Sequence, residues 1–155
     1  MLTVLRSVPT GRELCDALPL SDAAKKAKAE NDFILKEIIS GKDKRKLVVC
    51  GPCPADNPQA AAEYCVRLKS VADKVKDRLF LTPRLYIAKA RTRGEDYQGL
   101  LLDLKEGGSL SDNVLLCRRM FTEVLEQTGL PIADELLFAE QTELFGDLVS
   151  YYFIG

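Results

Sequence analysis

The chain has 155 residues, of which 46% are hydrophobic, and its 22 basic side chains are balanced by 23 acidic ones. This length favours a single domain, and the apolar content is sufficient for a buried core. The net charge of -1 and the lack of a long apolar run argue against a nucleic-acid surface and a membrane span, so we expect neither partner.

The five cysteines and the absence of histidine narrow the possible chemistry. Because the N-terminus has no secretory apolar run, an odd number of cysteines predicts reduced thiols in a cytoplasmic protein. Histidine is the commonest general base and metal ligand, so a metal site in this chain needs other ligands.

Residues 1–45 are predicted to form an N-terminal arm and one helix. The arm, residues 1–20, is broken by proline and glycine, with a turn of helix expected around Glu13. From Ser21, which can cap a helix, apolar residues recur at helical spacing. The helix is expected to end at Gly41, since glycine accepts the left-handed conformation of a C-cap.

Residues 46–155 alternate between strand and helix patterns. Short apolar runs predict strands at residues 47–50, 79–87, 131–137 and 151–154. Helices are predicted from Pro58 with Asn57 as its cap, from Ser111 or Asp112 to Gly129, and over residues 141–148. Residues 91–111 are predicted to form a long loop.

This alternation predicts an α/β fold with a parallel sheet. Two architectures fit, an open doubly wound sheet and a (β/α)8 TIM barrel. A barrel typically needs about 250 residues. The pattern stops at a fourth strand, so we expect the first half of a barrel, with the chain cut short after that strand.

Unusual polar residues follow the predicted strands, where parallel sheets of either architecture bind ligands. The group comprises Cys53, Arg84, Lys89, Arg91, Thr92, Asp134 and Glu135. A soft metal ligand beside several cations predicts a site for small phosphorylated substrates.

Two of these residues have alternative explanations. Arg84 lies in an apolar stretch, where it either binds an anion or points outwards into solvent. Glu135 is either a hydrogen-bonding group that supports the site or a solvated strand end.

The motif Cys50-Gly51-Pro52-Cys53 is also typical of thioredoxin-like oxidoreductases. Three features argue against that function: the chain has no tryptophan, Cys50 falls in an apolar strand, and the motif does not run directly into a helix. We therefore expect Cys50 to be a core residue and Cys53 to be the functional thiol.

Several segments together resemble the type I class of 3-deoxy-D-arabino-heptulosonate 7-phosphate (DAHP) synthases, in the order of that family. They are Gly51-Pro52-Cys53, Arg84-Leu85-Tyr86, Lys89-Ala90-Arg91-Thr92, Gly129-Leu130-Pro131, Ala133-Asp134-Glu135 and Asp147-Leu148-Val149-Ser150-Tyr151. The resemblance implies a (β/α)8 barrel that condenses phosphoenolpyruvate with erythrose 4-phosphate in the shikimate pathway. It also implies a homo-oligomer, either a dimer or a tetramer.

The resemblance also implies roles for individual residues. Cys53 corresponds to a ligand of a divalent metal, which is Mn, Fe, Co or Zn, and the remaining ligands are absent from this chain. Arg84 and Lys89, the latter also catalytic, correspond to phosphoenolpyruvate-binding groups with Glu135 beside them. Arg91 and Thr92 correspond to groups that bind the phosphate of erythrose 4-phosphate.

The sequence departs from the family pattern at Ala90, where the family has proline, and at Pro54, which follows Cys53 in place of serine. Residues 138–142 differ from a stretch of the family's effector pocket, so the effector (Phe, Tyr, Trp or none) is left open. We expect the 155-residue chain alone to be inactive. The alternative is a non-catalytic, dimerising barrel fragment.

Overall fold

The computed structural model describes residues 7–91, 96–104 and 108–154. Within these residues, nine elements follow one another in the order helix, helix, strand and then alternating helix and strand. The helices are α1 (Gly11–Ala17), α2 (Asp22–Ile39), α3 (Pro58–Val75), α4 (Leu110–Thr128) and α5 (Glu140–Phe145). The strands are β1 (Lys46–Cys50), β2 (Leu79–Pro83), β3 (Ala133–Glu135) and β4 (Tyr151–Phe153).

The helix ends are set by local hydrogen bonds that the sequence largely predicts. The side chains of Ser21 and Asn57 accept hydrogen bonds from the third residue beyond them and so cap α2 and α3. The prediction for α4 was two to three residues late, because Ser109 and Asp112 form a reciprocal capping box that starts this helix at Leu110. Gly129 ends α4, as predicted, and it adopts the left-handed conformation.

The sheet is parallel, as the alternating pattern predicts. Strand β1 pairs with β2 from Lys46↔Leu79 to Cys50↔Pro83, and β3 pairs with β4. A parallel bridge between Arg84 and Ala133 connects the two pairs. The four strands therefore lie in chain order, and their carboxyl ends share one edge.

The later elements are shorter than the sequence predicts. The second strand was predicted over residues 79–87 but ends at Pro83. Leu85 N still donates to Ala133 O of β3, whereas Tyr86 O, Ile87 O and Lys89 N bond to flanking loops. The third and fourth strands each contain three residues, and α5 ends at Phe145. These short elements are held by packing rather than by long hydrogen-bond ladders.

The core lies between the sheet and helices α3 and α4, with α1 closing one end. It contains Leu85, Ile87, Phe121 and Phe145, all without solvent exposure. The rings of Phe121 and Phe145 pack edge to face with centroids 5.7 Å apart. No helix in the described part of the chain is both long and apolar enough to span a membrane.

Candidate active site

The segment that follows β2 carries most of the predicted site residues. Its backbone is held between two loops: Tyr86 O accepts from Ala55 N at 2.7 Å, and Lys89 N donates to Gln98 O at 2.9 Å. Ile87 O also accepts from Leu101 N at 2.9 Å. Because both sides of this segment are bonded, its side chains project from a fixed backbone at the carboxyl edge of the sheet.

Arg84 is half-buried and bound to the turn that follows β1. Its Nε donates to Pro52 O at 3.1 Å, and one terminal nitrogen donates to Gly51 O at 3.0 Å. A Cβ atom on Gly51 would collide with the carbonyl of Arg84, so the two segments can approach this closely only with glycine there. Neither alternative for Arg84 describes it fully, because its guanidinium is partly exposed and also held by backbone carbonyls.

Lys89 and Glu135 form an ion pair across the ends of β2 and β3. Lys89 Nζ lies 2.8 Å from both carboxylate oxygens of Glu135. The side chains are 25% and 11% exposed, respectively, so the pair is shielded but can still be reached from solvent. Glu135 is thus the hydrogen-bonding partner that one of the two sequence interpretations predicts, and it is not a solvated strand end.

Tyr86 lies between the two cations, and the sequence patterns did not predict it as a site residue. Arg84 Cζ and Lys89 Nζ each lie 5.1 Å from the centroid of its ring. Phe153 of β4 packs against the same ring edge to face at 6.1 Å. Burial, followed by the charge of Glu135, raises the pKa of the Tyr86 phenol, which keeps the ring neutral. The sequence feature that could have identified Tyr86 is its spacing, two residues after Arg84 and three before Lys89.

Cys53 and Arg91 form a second cluster beside the first. Cys53 is exposed, and its Sγ lies 3.6 Å from a terminal nitrogen of Arg91. Arg91 Nε donates to Tyr97 O at 2.9 Å, which fixes the guanidinium. Cys50 is half-buried rather than a full core residue. Thr92, predicted to bind phosphate, lies outside the described residues.

The residues in this region do not by themselves fit a metal ion. Among the described residues, no group of three or more His, Cys, Asp and Glu side chains is placed to hold one. Cys53 offers one soft ligand, whereas a firm site needs about four.

The motif Cys50-Gly51-Pro52-Cys53 also ends five residues before α3 begins at Pro58, unlike a redox motif at a helix start.

The donors at this edge suit an oxyanion. An ammonium has three N–H groups, and Lys89 uses two of them on Glu135. A guanidinium has five, and Arg84 gives two to described partners. Arg84 and Lys89 lie around the same aromatic ring, Glu135 pairs with the lysine, and Arg91 lies in the neighbouring cluster with Cys53.

Comparison with known proteins gives one family and a set of similar structures. The model of the DAHP synthetase I family matches residues 21–155. A relative from Salmonella typhimurium, named phospho-2-dehydro-3-deoxyheptonate aldolase, Tyr-sensitive, is 38% identical over 94% of this chain. A Phe-sensitive relative from Escherichia coli is 31% identical over 92% of it.

A solved structure of phospho-2-dehydro-3-deoxyheptonate aldolase from Francisella tularensis matches the whole chain with a TM-score of 0.89 and 26% sequence identity. The match covers 46% of that solved chain. The chain spans 41% of the length of each of the two curated relatives above. The similarity therefore extends over nearly all of this chain but over less than half of the proteins it resembles.

Proposed function

The chain belongs to the DAHP synthetase I family, and on that premise we propose that its cation-lined edge binds phosphoenolpyruvate for condensation with erythrose 4-phosphate. This aldol-type reaction produces DAHP, the first intermediate of the shikimate pathway. The observation that carries the proposal is the pairing of Arg84 and Lys89 around one aromatic ring, with N–H groups left for a ligand.

The donor geometry supports distinct roles for the cations. The planar guanidinium of Arg84 can donate two parallel hydrogen bonds to the oxygens of one phosphate or carboxylate. Lys89 can donate its third N–H to a substrate oxygen while Glu135 holds the other two. The Lys89 ammonium therefore contacts the substrate from a fixed position, and we propose Lys89 as the catalytic residue.

Arg91 and Thr92 are proposed to bind the phosphate of erythrose 4-phosphate. Arg91 lies beside Cys53 and follows Lys89 by two residues on the same segment. Fixed cations at both positions would lower the repulsion between two phosphorylated substrates. Holding these reactants side by side converts an encounter of two anions into a reaction within one complex.

Cys53 is proposed to supply one ligand of a divalent metal site. Because the described residues supply a single ligand, we assign no reaction step to the metal. Titration with cadmium tests the ligand through the thiolate-to-metal absorption band in the ultraviolet. Cys53→Ser should remove the band and Cys50→Ser should retain it, and the reverse result would reassign the ligand.

The arc of four parallel strands is proposed to be the first half of a (β/α)8 barrel. Since this chain corresponds to less than half of its relatives' length, we propose that the 155 residues bind substrate without turning it over. Incubation with both substrates and manganese should yield no DAHP above a blank. Turnover at a rate ordinary for enzymes would contradict this, while failure to bind any substrate would favour a non-catalytic fragment.

Calorimetric titration with phosphoenolpyruvate tests the binding proposal. Loss of one charge-assisted contact costs about 1.5–3 kcal/mol, so Arg84→Gln and Lys89→Met should each weaken binding by roughly tenfold or more. Arg119→Gln and Lys74→Met, at exposed helix positions, are the matched controls and should bind as the unmodified chain does. Equal affinity in all four variants would refute the assignment.

A second proposed function is the binding of an aromatic amino acid in a separate cavity. This cavity of about 480 Å³ lies between the N-terminal arm, α4 and α5 and is lined mainly by apolar side chains. Glu140 and Glu143 at its edge can pair with an α-ammonium group. Relatives with the names Tyr-sensitive and Phe-sensitive favour tyrosine or phenylalanine as the occupant.

Filling the cavity tests this second function. Leu110 lines the cavity, whereas Leu116, equally exposed on the same helix, does not. Leu110→Trp should abolish the heat of tyrosine or phenylalanine binding, and Leu116→Trp should retain it. The absence of binding of either amino acid to the unmodified chain would reject the function.

The homo-oligomer implied by the family is likewise a proposal. On α2, Phe33 and Ile39 are each 64% exposed, which gives this helix an apolar surface. Sedimentation should show a dimer or tetramer, and a monomer at all concentrations would exclude it.

A further inference from the structure

A buried carboxylate lies directly beneath the candidate site. Asp134 and Glu135 are consecutive in β3, so their side chains point to opposite faces of the sheet. Glu135 reaches Lys89, whereas Asp134 has no solvent exposure. The Asp134 side chain therefore takes no direct part in the site, and a fully buried carboxylate needs partners to be tolerated.

Asp134 connects β3, which carries Glu135, to the segment after β2, which carries Lys89. Its Oδ1 accepts from the backbone N–H of Glu135 at 2.8 Å and from that of Ile87 at 3.1 Å. Ile87 lies two residues before Lys89 on the segment after β2. One carboxylate oxygen thus fixes the backbone on both sides of the Lys89–Glu135 pair.

Gln141 of α5 completes this arrangement. Its Nε2 donates to Asp134 Oδ2 and to Glu135 O, both at 3.0 Å. Its Oε1 accepts from Leu137 N at 2.8 Å and Phe138 N at 3.0 Å. The side chain is 1% exposed, and every hydrogen-bonding group of its amide is used. Gln141 therefore holds the loop between β3 and α5 and also binds the Asp134 carboxylate.

We propose that Asp134 and Gln141 are positioning residues that fix the Lys89–Glu135 pair for anion binding. They act through the backbone of Ile87 and Glu135 and do not touch the ligand. The inference rests on the proposed function only for the nature of the ligand, because the hydrogen bonds exist without one.

The charge of this buried group adds a second property. Burial raises the pKa of the Asp134 carboxyl to about 7, although the hydrogen bonds from Ile87, Glu135 and Gln141 lower it. The titratable groups that face it from the packed elements are Glu135 on its own strand, Tyr86 after β2, Cys117 on α4 and Tyr152 on β4. Lys89 does not contact Asp134 directly in the described hydrogen bonds; it pairs with the neighbouring Glu135. Ionisation of Asp134 near neutral pH adds a negative charge under an anion site.

The sign of the effect follows from that added charge. As pH rises through about 7, Asp134 becomes an anion and repels a bound anion, so affinity falls. Sulfate is the suitable probe, because its own charge is constant over this range. We expect a roughly threefold or larger loss of sulfate affinity between about pH 6 and pH 8, since two like charges in a partly buried site repel appreciably.

The experiment is a pH titration of the full 155-residue chain followed by amide and carboxyl NMR signals, with and without sulfate. The amide protons of Ile87 and Glu135 should shift together with a midpoint near pH 7. Asp134→Asn keeps the volume and one acceptor oxygen but removes the charge. It should abolish both the shared midpoint and the pH dependence of sulfate affinity.

Gln141→Met provides a second test in case Asp134→Asn does not fold. Since the hydrogen bond from Gln141 lowers the pKa of Asp134, its loss should move the shared midpoint upwards. Gln141→Met should also shift the NMR signal of the Glu135 carboxyl carbon. This signal is sensitive to the ion pair with Lys89 and can be measured in the absence of a ligand. Gln127→Met, an exposed glutamine on α4, is the matched control and should change neither signal.

Independent behaviour of the Ile87 and Glu135 amides, or an unchanged Glu135 signal in Gln141→Met, would overturn the inference. So would wild-type sulfate affinity and pH dependence in a folded Asp134→Asn chain. If the amides and Glu135 behave as expected but sulfate and phosphoenolpyruvate do not bind, the proposed function fails and the positioning role stands.

Discussion

The ion pair between Arg118 and Asp147 should be the most sensitive electrostatic contact in the fold. Arg118, on α4, has no solvent exposure, and its two terminal nitrogens bind the Asp147 carboxylate at 2.9 and 2.6 Å. The same guanidinium donates to Leu144 O and to Cys15 Sγ, at 3.1 and 3.3 Å. This one side chain therefore connects α1, α4 and the end of α5.

The two partners are not equally buried, and this predicts unequal effects. Asp147→Asn leaves the guanidinium buried without its counter-charge, which costs about 3–5 kcal/mol in buried pairs. The Asp147 side chain is 38% exposed, so water offsets part of that loss and we expect about 3 kcal/mol. Arg118→Met removes the buried charge and leaves a carboxylate that water can reach. It should cost about 1.5 kcal/mol, mainly for the unpaired Leu144 carbonyl.

Urea unfolding followed by circular dichroism measures these free energies. The double variant Arg118→Met/Asp147→Asn should be about as stable as Arg118→Met alone, because the cation is already gone. Burial raises the pKa of Asp147, but the hydrogen bonds and charge of Arg118 outweigh this and hold it below its usual value. The pair therefore stabilises the fold above about pH 4 and loses this effect as pH falls further. A larger loss in Arg118→Met than in Asp147→Asn would refute the reasoning.

Two further predictions concern the turn after β1. Gly51→Ala should lower the free energy of unfolding by about 2 kcal/mol, because the new methyl group would collide with the Arg84 carbonyl. The displaced Arg84 should also bind phosphoenolpyruvate more weakly, and unchanged affinity by calorimetry would contradict this. Asn57→Ala should cost about 1 kcal/mol in urea unfolding, because Ala60 N loses its 3.0 Å acceptor at the start of α3, while Asn57→Ser, which keeps a cap, should lose little.

Periodicity and capping residues predicted the order of elements and most helix ends. Ser21, Asn57 and Gly129 act where the sequence places them, because caps depend on a few neighbouring residues. The end of the second strand was not predicted correctly. Residues 85–87 are apolar enough for a strand, but the carbonyls of Tyr86 and Ile87 accept from Ala55 and Leu101 in two loops, and the Ile87 N–H donates to the Asp134 side chain.

In the candidate site as well, some features follow from the sequence pattern and others do not. The strand ends predicted one shared edge for Arg84, Lys89, Asp134 and Glu135, because polar residues after parallel strands lie together. Lys89 and Glu135 do pair there, whereas the Asp134 side chain is fully buried. The sequence could not reveal that Tyr86 lies against both cations, or that Gln141 closes a network around Asp134. Those contacts depend on side-chain directions between elements that are far apart in the chain.

A crystal structure of the chain with phosphoenolpyruvate tests the central claim most directly. We expect phosphate or carboxylate oxygens within hydrogen-bond distance of both Arg84 and Lys89, with Glu135 still in contact with the lysine. Phosphoenolpyruvate bound elsewhere, or bound with Lys89 turned away from it, would contradict the proposed binding site.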